Sequence, residues 1–120
     1  MAKILIIDDS GLSRRIMRKI LSEAGHEVIE SSDGFSALEL FTMEQPDIVF
    51  LDLTMPGITG IEVLKQLKSF ASSAHVIIAS ADIQQLTKEL VKQEGADGFI
   101  NKPFVEEEVL TMVNSFPKKG

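Results

Sequence analysis

The sequence predicts one doubly wound α/β domain, a five-stranded parallel sheet with helices on both faces. Three observations carry that prediction. Short runs rich in Ile, Val and Leu recur five times along the chain, and stretches with helical spacing of apolar residues separate them. The runs are apolar throughout, as in strands buried on both faces. Connections are short, and strict alternation of this kind requires parallel strands joined by right-handed crossovers.

The elements follow in order. Lys3–Ile7 is the first strand and runs into Asp8-Asp9-Ser10-Gly11. Leu12, Ile16, Ile20 and Leu21 then share one helical face, and Ala24-Gly25 stops the helix. Glu27–Ser31 is a short strand, Ser32-Asp33-Gly34 a turn, and Ala37, Leu38, Leu40 and Phe41 mark a second helix. Gln45-Pro46-Asp47 breaks it ahead of the third strand, Ile48–Leu51, which meets Asp52 and the turn signal Met55-Pro56-Gly57. Ile61, Leu64 and Leu67 define a third helix with a basic edge at Lys65 and Lys68. The fourth strand is expected over 76–80, and a weaker fourth helix over 83–94, with Ile83, Leu86, Leu90 and Val91 facing the core. Gly98–Asn101 is the fifth strand. Lys102-Pro103-Phe104 turns into a last helix carrying Val105, Val109, Leu110, Val113 and Phe116.

No composition shift, repeat or linker divides the 120 residues, so residues 1–120 are expected to form a single domain. The absence of cysteine excludes disulfides, thiolate metal sites and thiol catalysis. His26 and His75 lack metal-ligand spacing and read as surface or loop residues. A net charge of −6 disfavours nucleic acid as a direct partner. The basic run Arg14-Arg15, Arg18-Lys19 reads as the solvated face of a helix. No apolar run approaches the roughly 20 residues of a membrane helix. With no basic-then-apolar leader either, a soluble cytoplasmic protein is expected.

Chemistry is expected at the carboxyl ends of the strands, where ligands of open parallel sheets sit. Asp8 and Asp9 follow the first strand, Asp52 the third, Ser80 ends the fourth and Lys102 follows the fifth. In the flavodoxin-like strand order 2-1-3-4-5 the first and third strands are neighbours, and the three carboxylates converge. Two like charges about 4 Å apart repel by about 4 kcal/mol at an effective dielectric near 20, so a cation is needed among them. Lys102 supplies one charge. All-oxygen ligation suits Mg²⁺ or Mn²⁺ for the rest. A metal, a lysine and a carboxylate nucleophile together make a phosphoryl-transfer site, with the Ser80 hydroxyl placed to bond a phosphoryl oxygen. Taken singly the residues say less: Asp8-Asp9 ahead of a helix is also what a cap looks like, Ser80 could be a turn residue and Lys102 solvated.

The set Asp8-Asp9, Leu51-Asp52-Leu53-Thr54-Met55-Pro56-Gly57-Ile58-Thr59-Gly60, Ser80-Ala81 and Lys102-Pro103-Phe104 resembles the receiver domains of two-component response regulators. The likeness runs from about Ala2 to Phe116 and is closest in kind to single-domain, chemotaxis-type regulators. It implies that Asp52 is the phosphoacceptor for a histidine kinase, catalysing its own phosphorylation and dephosphorylation rather than acting as an enzyme on others. It implies direct Mg²⁺ ligation by Asp9, Asp52 and the Thr54 backbone carbonyl, with Asp8 acting through water. Lys102 pairs with the phosphoryl group and precedes a cis peptide to Pro103. Ser80 and Phe99 form the switch pair; many receivers carry tyrosine at the latter position, so any signal that uses that hydroxyl is closed to this chain. Thr54 and Asp82 flank the path of the hydrolysing water, and a short side chain at each implies slow to intermediate loss of phosphate, although Asp82 also suits an N-cap. The implied partners are the kinase, an output protein on the face formed by the fourth helix, fifth strand and fifth helix, and a phosphatase.

Two rival chemistries fit poorly. A haloacid-dehalogenase-type phosphatase needs a second aspartate two residues after the nucleophile, where Thr54 stands. A flavodoxin needs a Ser/Thr-rich phosphate loop where Asp8-Asp9 would repel the phosphate. A third alternative keeps the chemistry and changes the setting: a receiver module within a larger regulator or hybrid kinase.

Overall fold

The computed structural model describes residues 1–55, 58–70, 73–81 and 84–116. Strands and helices alternate five times: β1 Lys3–Ile7, α1 Gly11–Glu23, β2 Glu27–Ser31, α2 Gly34–Glu44, β3 Ile48–Leu51, α3 Gly60–Ser69, β4 His75–Ser80, α4 Gln85–Gln93, β5 Gly98–Asn101 and α5 Glu106–Asn114. All strand pairs are parallel, in the order β2-β1-β3-β4-β5. The predicted fold class and strand order are the observed ones.

Alternation along the strands sorts the core into two halves. Leu5, Ile7, Val49, Leu51, Val76 and Ile78 point to one face and pack with Ala37, Phe41, Val63, Leu64, Leu67 and Val91 from α2, α3 and α4. Ile4, Ile6, Ile48, Phe50, Ile77, Ala79 and Ile100 point to the other and meet Met17, Leu21, Val109 and Val113 from α1 and α5. The central strands β1 and β3 are buried on both faces, which is why they read as unbroken apolar runs. No helix among the described residues is long and apolar enough to cross a membrane.

Three helices present faces other than the expected ones. In α1 the buried positions are Met17 and Leu21, while Leu12 (65% exposed) and Ile16 (40%) stand on the outer flank. The stripe is rotated by one position because Met17, not Ile16, fills the space above the sheet. In α4 only Val91 is buried; Leu86 is 79% exposed and Leu90 41%. This helix covers the margin of the sheet with a single anchoring side chain, so its two leucines face outward, and Ile83 lies outside the described residues. Val105, just ahead of α5, is its exposed N-cap rather than a core residue, and Val109 and Val113 anchor the helix. His75 opens β4 and stacks on Phe116 with ring centroids 4.3 Å apart, so it is a strand residue and half-buried. His26 Nδ1 accepts a hydrogen bond from the Ala2 N–H.

The start of α3 is tied back to the end of β3. Thr59 caps the helix by accepting from the Glu62 N–H, and the Gly60 N–H donates to the Leu53 carbonyl at 3.3 Å. A Cβ at position 60 would lie 2.7 Å from the Asp52 carbonyl oxygen and closer still to the Leu53 Cα. Backbone cannot rotate aside as a side chain can. Gly60→Ala should therefore lower the unfolding free energy by roughly 1–3 kcal/mol, the usual cost of overpacking, and displace the Leu53 and Thr54 amide resonances. A urea midpoint equal to that of the wild type would show that this close approach yields freely.

Candidate functional site

The register of the sheet brings the acidic residues to one level. Ile7 pairs with Leu51, so β1 and β3 end side by side, and the Asp52 N–H donates to the Ile7 carbonyl at 2.9 Å. Asp8 continues on the other side, its N–H donating to the Ser31 carbonyl at 3.1 Å. One carboxylate oxygen from each of Asp8, Asp9 and Asp52 lies within 4.8 Å of the others. Asp8 and Asp52 are buried and Asp9 is exposed. The helix-cap alternative for the acidic pair falls away, because Ser10 is the N-cap of α1, its hydroxyl accepting from the Ser13 N–H.

Asp52 is held from both oxygens. Oδ1 accepts from the Ser80 hydroxyl at 2.7 Å and from the Thr54 N–H at 3.0 Å, and Oδ2 accepts from Lys102 Nζ at 3.1 Å. Ser80 Oγ in turn accepts the Leu53 N–H at 2.9 Å, so it is neither a plain turn residue nor solvated. Lys102 bridges two strands, reaching Asp8 Oδ2 at 2.9 Å as well as Asp52. Its N–H donates to the Ser80 carbonyl and the Lys102–Pro103 peptide is cis, as expected. Phe99 on β5 is half-buried against the core half that contains Ile78 and Val91. The Thr54 side chain is exposed at the mouth of the site, and Asp82 lies outside the described residues.

Burial pushes the Asp8 carboxyl up from its ordinary value; Lys102 and the Ser10 N–H pull it back, and the charge on Asp52 adds to the rise. Burial alone would lower the Lys102 ammonium, but hydrogen bonds and attraction from Asp8 and Asp52 outweigh it and hold the group above 10.5. Three carboxylates against one ammonium leave two negative charges. That residue of charge, with an all-oxygen donor set, fits a hard divalent ion such as Mg²⁺.

Two features went unread in the sequence. The Leu53 N–H belongs to the site through Ser80, a backbone role that carries no residue signature. Arg14 also reaches it, donating from Nη1 to the Asp8 carbonyl at 2.6 Å. With Arg18 it pairs to Glu30 on β2, so half of the basic run makes ion pairs within the protein, Arg18 while still exposed to solvent. The available clue was spacing: a cation one turn into the helix that follows an acidic strand end can fold back over it.

The response regulator receiver domain model matches residues 4–114. The chemotaxis protein CheY of Bacillus subtilis is 39% identical over 113 residues, 93% of this chain and 94% of that protein. CheY of Halobacterium salinarum is 35% identical over 115 residues, 95% of this chain and 96% of that protein. Among solved structures, the Vibrio cholerae chemotaxis protein CheY4 superposes with a TM-score of 0.91 at 30% identity, covering 96% of this chain and 98% of that one.

The raised Asp8 carboxyl has a stability consequence whose sign can be worked out. A carboxyl raised by folding holds its proton more tightly in the native state, so stability falls as pH rises through the folded value. Asp8→Asn should then be more stable than wild type at pH 7 without divalent cations, and the gain should vanish below pH 3.8, where the carboxyl is protonated folded or unfolded. Lys102 acts at the other end: its ion pairs contribute fully below pH 10.5 and are lost as pH climbs through the raised folded value. Urea midpoints of wild type and Asp8→Asn across pH check both; an Asn variant less stable at pH 7 contradicts the first.

Proposed function

The chain belongs to the response regulator receiver family, and we propose that it accepts a phosphoryl group from a histidine kinase onto Asp52 and so controls a partner protein. The observation that carries this reading is the convergence of Asp8, Asp9 and Asp52 within 4.8 Å around the Lys102 ammonium. Residues 1–120 act as one receiver unit in this proposal, of the chemotaxis type that the CheY relatives exemplify.

In the proposed reaction an Asp52 carboxylate oxygen attacks phosphorus, the new O–P bond forms as the P–N bond of phosphohistidine breaks, and the imidazole departs. Asp9, Asp52 and the Thr54 carbonyl, with Asp8 through water, are the residues that would hold Mg²⁺, and a bound ion would supply charge neutralisation for the phosphoryl oxygens. Lys102 already touches Asp52 Oδ2 and is placed to follow the transferred group. The Ser80 hydroxyl and Thr54 N–H, now spent on Asp52 Oδ1, are donors that a phosphoryl oxygen can take over. Ser80 therefore needs an exchange of acceptor rather than a long journey to reach the phosphate.

Exchange at Ser80 is the proposed trigger for Phe99 on the neighbouring strand β5, where it pairs with Ile78. The modification biases the two states only by its different affinity for them, and the differential contact is the hydroxyl. The receiving face is α4, β5 and α5, where Leu86, Leu90 and Val105 stand exposed for a partner to cover. Thr54, short and at the mouth, neither covers the phosphate nor orients water well, which supports a slow to intermediate lifetime.

Incubation with acetyl phosphate and Mg²⁺ should add one phosphoryl mass unit, EDTA should prevent it, and Asp52→Asn should not label; full labelling of that variant would sink the assignment. Beryllofluoride should shift resonances around Phe99 and α4. Retention of the whole shift in Ser80→Ala would show that the hydroxyl is not the trigger.

A further inference from the structure

Arg14 crosses from α1 to the back of the acidic cluster. Its Nη1 donates to the Asp8 carbonyl at 2.6 Å, and its Nε faces Glu30 Oε1 on β2 at 3.3 Å. The other Glu30 oxygen takes Arg18 Nε, and Arg18 also reaches the Val28 carbonyl. Arg14 and Glu30 keep only 22% and 26% of their side-chain surface exposed, so the pair is shielded from solvent more than a surface bridge is.

The carbonyl that Arg14 holds belongs to the peptide joining Asp8 to Asp9. Every other hold on that corner acts elsewhere: Ser31 takes the Asp8 N–H, while Ser10 and Lys102 donate to the Asp8 carboxylate. No hydrogen bond or ion pair among the described residues fixes the Asp9 carboxylate. The orientation of Asp9 is therefore set by its two flanking peptides: the Ser10 N–H ties the one after it to Asp8 Oδ1, and Arg14 grips the one before it by the oxygen.

Two effects of opposite sign act through the same side chain. A guanidinium held on the Asp8 carbonyl repels a dication bound at the cluster, whereas a fixed peptide aims a ligand at it. Glu30 tilts the balance toward the second, because its charge, shared with Arg18, offsets part of the Arg14 charge while leaving Nη1 free to hold the carbonyl. We propose that Arg14, its charge partly offset by Glu30, is a positioning residue for the divalent cation site, orienting the Asp8–Asp9 peptide so that the Asp9 carboxylate is presented to the ion. The proposal rests on the reading of the acidic cluster as a Mg²⁺ site.

The test is Mg²⁺ titration of the unphosphorylated protein followed by amide NMR, with urea midpoints in EDTA for each variant. Arg14→Ala should weaken Mg²⁺ roughly tenfold, the low end of what losing an outer-shell partner costs, and shift the Asp9 amide before any metal is added. Arg14→Lys, which keeps the charge and one donor, should recover part of the loss and carries the test if the alanine variant does not fold. Arg18→Ala shares Glu30 but not the Asp8 carbonyl, and should stay within about twofold of wild type, a small fraction of that loss. Mg²⁺ binding by Arg14→Ala as tight as wild type or tighter overturns the proposal and leaves charge repulsion as the main effect. Equal weakening in Arg14→Ala and Arg18→Ala overturns it too, since the tie to β2 would then be merely structural. Asp9→Asn separates the two levels: a wild type that binds no Mg²⁺ overturns the site reading and this proposal together, whereas wild-type binding lost in Asp9→Asn but unchanged in both Arg14 variants overturns the positioning role alone.

Discussion

The Lys102 ammonium between Asp8 and Asp52 is the contact on which the rest of the site depends. Parallel pairing with Ile7 opposite Leu51 puts two carboxylates at the same height on adjacent strands, and burial takes away the water that would screen them. Without a cation the two carboxylates could not both stay ionised at that edge, and one would take up a proton. Lys102 reaches both from the far end of β5, at 2.9 and 3.1 Å, and so ties the first, third and fifth strands at one point. The raised Asp8 carboxyl shows that one ammonium is not enough to cancel the penalty of burial.

Such crowding is tolerable because the strands beneath are rigid. β1 and β3 are buried on both faces, and Ser80 adds a cross-strand brace by donating to Asp52 while accepting from Leu53. Rigidity falls off toward the margin. α4 rests on Val91, with Leu86 and Leu90 outside the core and no side-chain cap at Gln84. A helix held by one buried residue has a low free energy of local rearrangement compared with α3, which buries Val63, Leu64 and Leu67. The element nearest the proposed switch is thus the one the core constrains least.

How much of this the sequence reveals depends on which force places each residue. Strands buried on both faces announce themselves as apolar runs, and the carboxylates that end them are then fixed by topology, so Asp8, Asp9, Asp52, Ser80 and Lys102 could all be placed before any coordinates. The fold order followed from alternation and short connections. Helix faces were less legible: Leu12 or Met17, and Leu86 or Val91, differ by rotations that sequence spacing does not resolve when apolar residues occupy both flanks. Contacts made through backbone were hidden altogether. The Leu53 N–H on Ser80 and the Asp8 carbonyl under Arg14 depend on where peptide planes point, and no residue type records that.

Charge balance also explains why stability and function pull apart at this edge. Two negative charges remain after Lys102 is counted, and every carboxylate that creates them is a candidate ligand. Replacing one by a neutral isostere relieves the fold and removes donor capacity in the same step. Nor can a second lysine be the remedy, since it would fill the space and charge that a dication needs. The arrangement is instead left partly unbalanced and stiffened from behind, by Lys102 on the inner side and by the Arg14–Glu30 pair outside the cluster. A guanidinium is well suited to that task, because its planar fork fixes geometry through several hydrogen bonds while Glu30 offsets part of its charge. The acidic edge thereby stays attractive to a cation, and the backbone that bears it stays in place while the site is unbalanced.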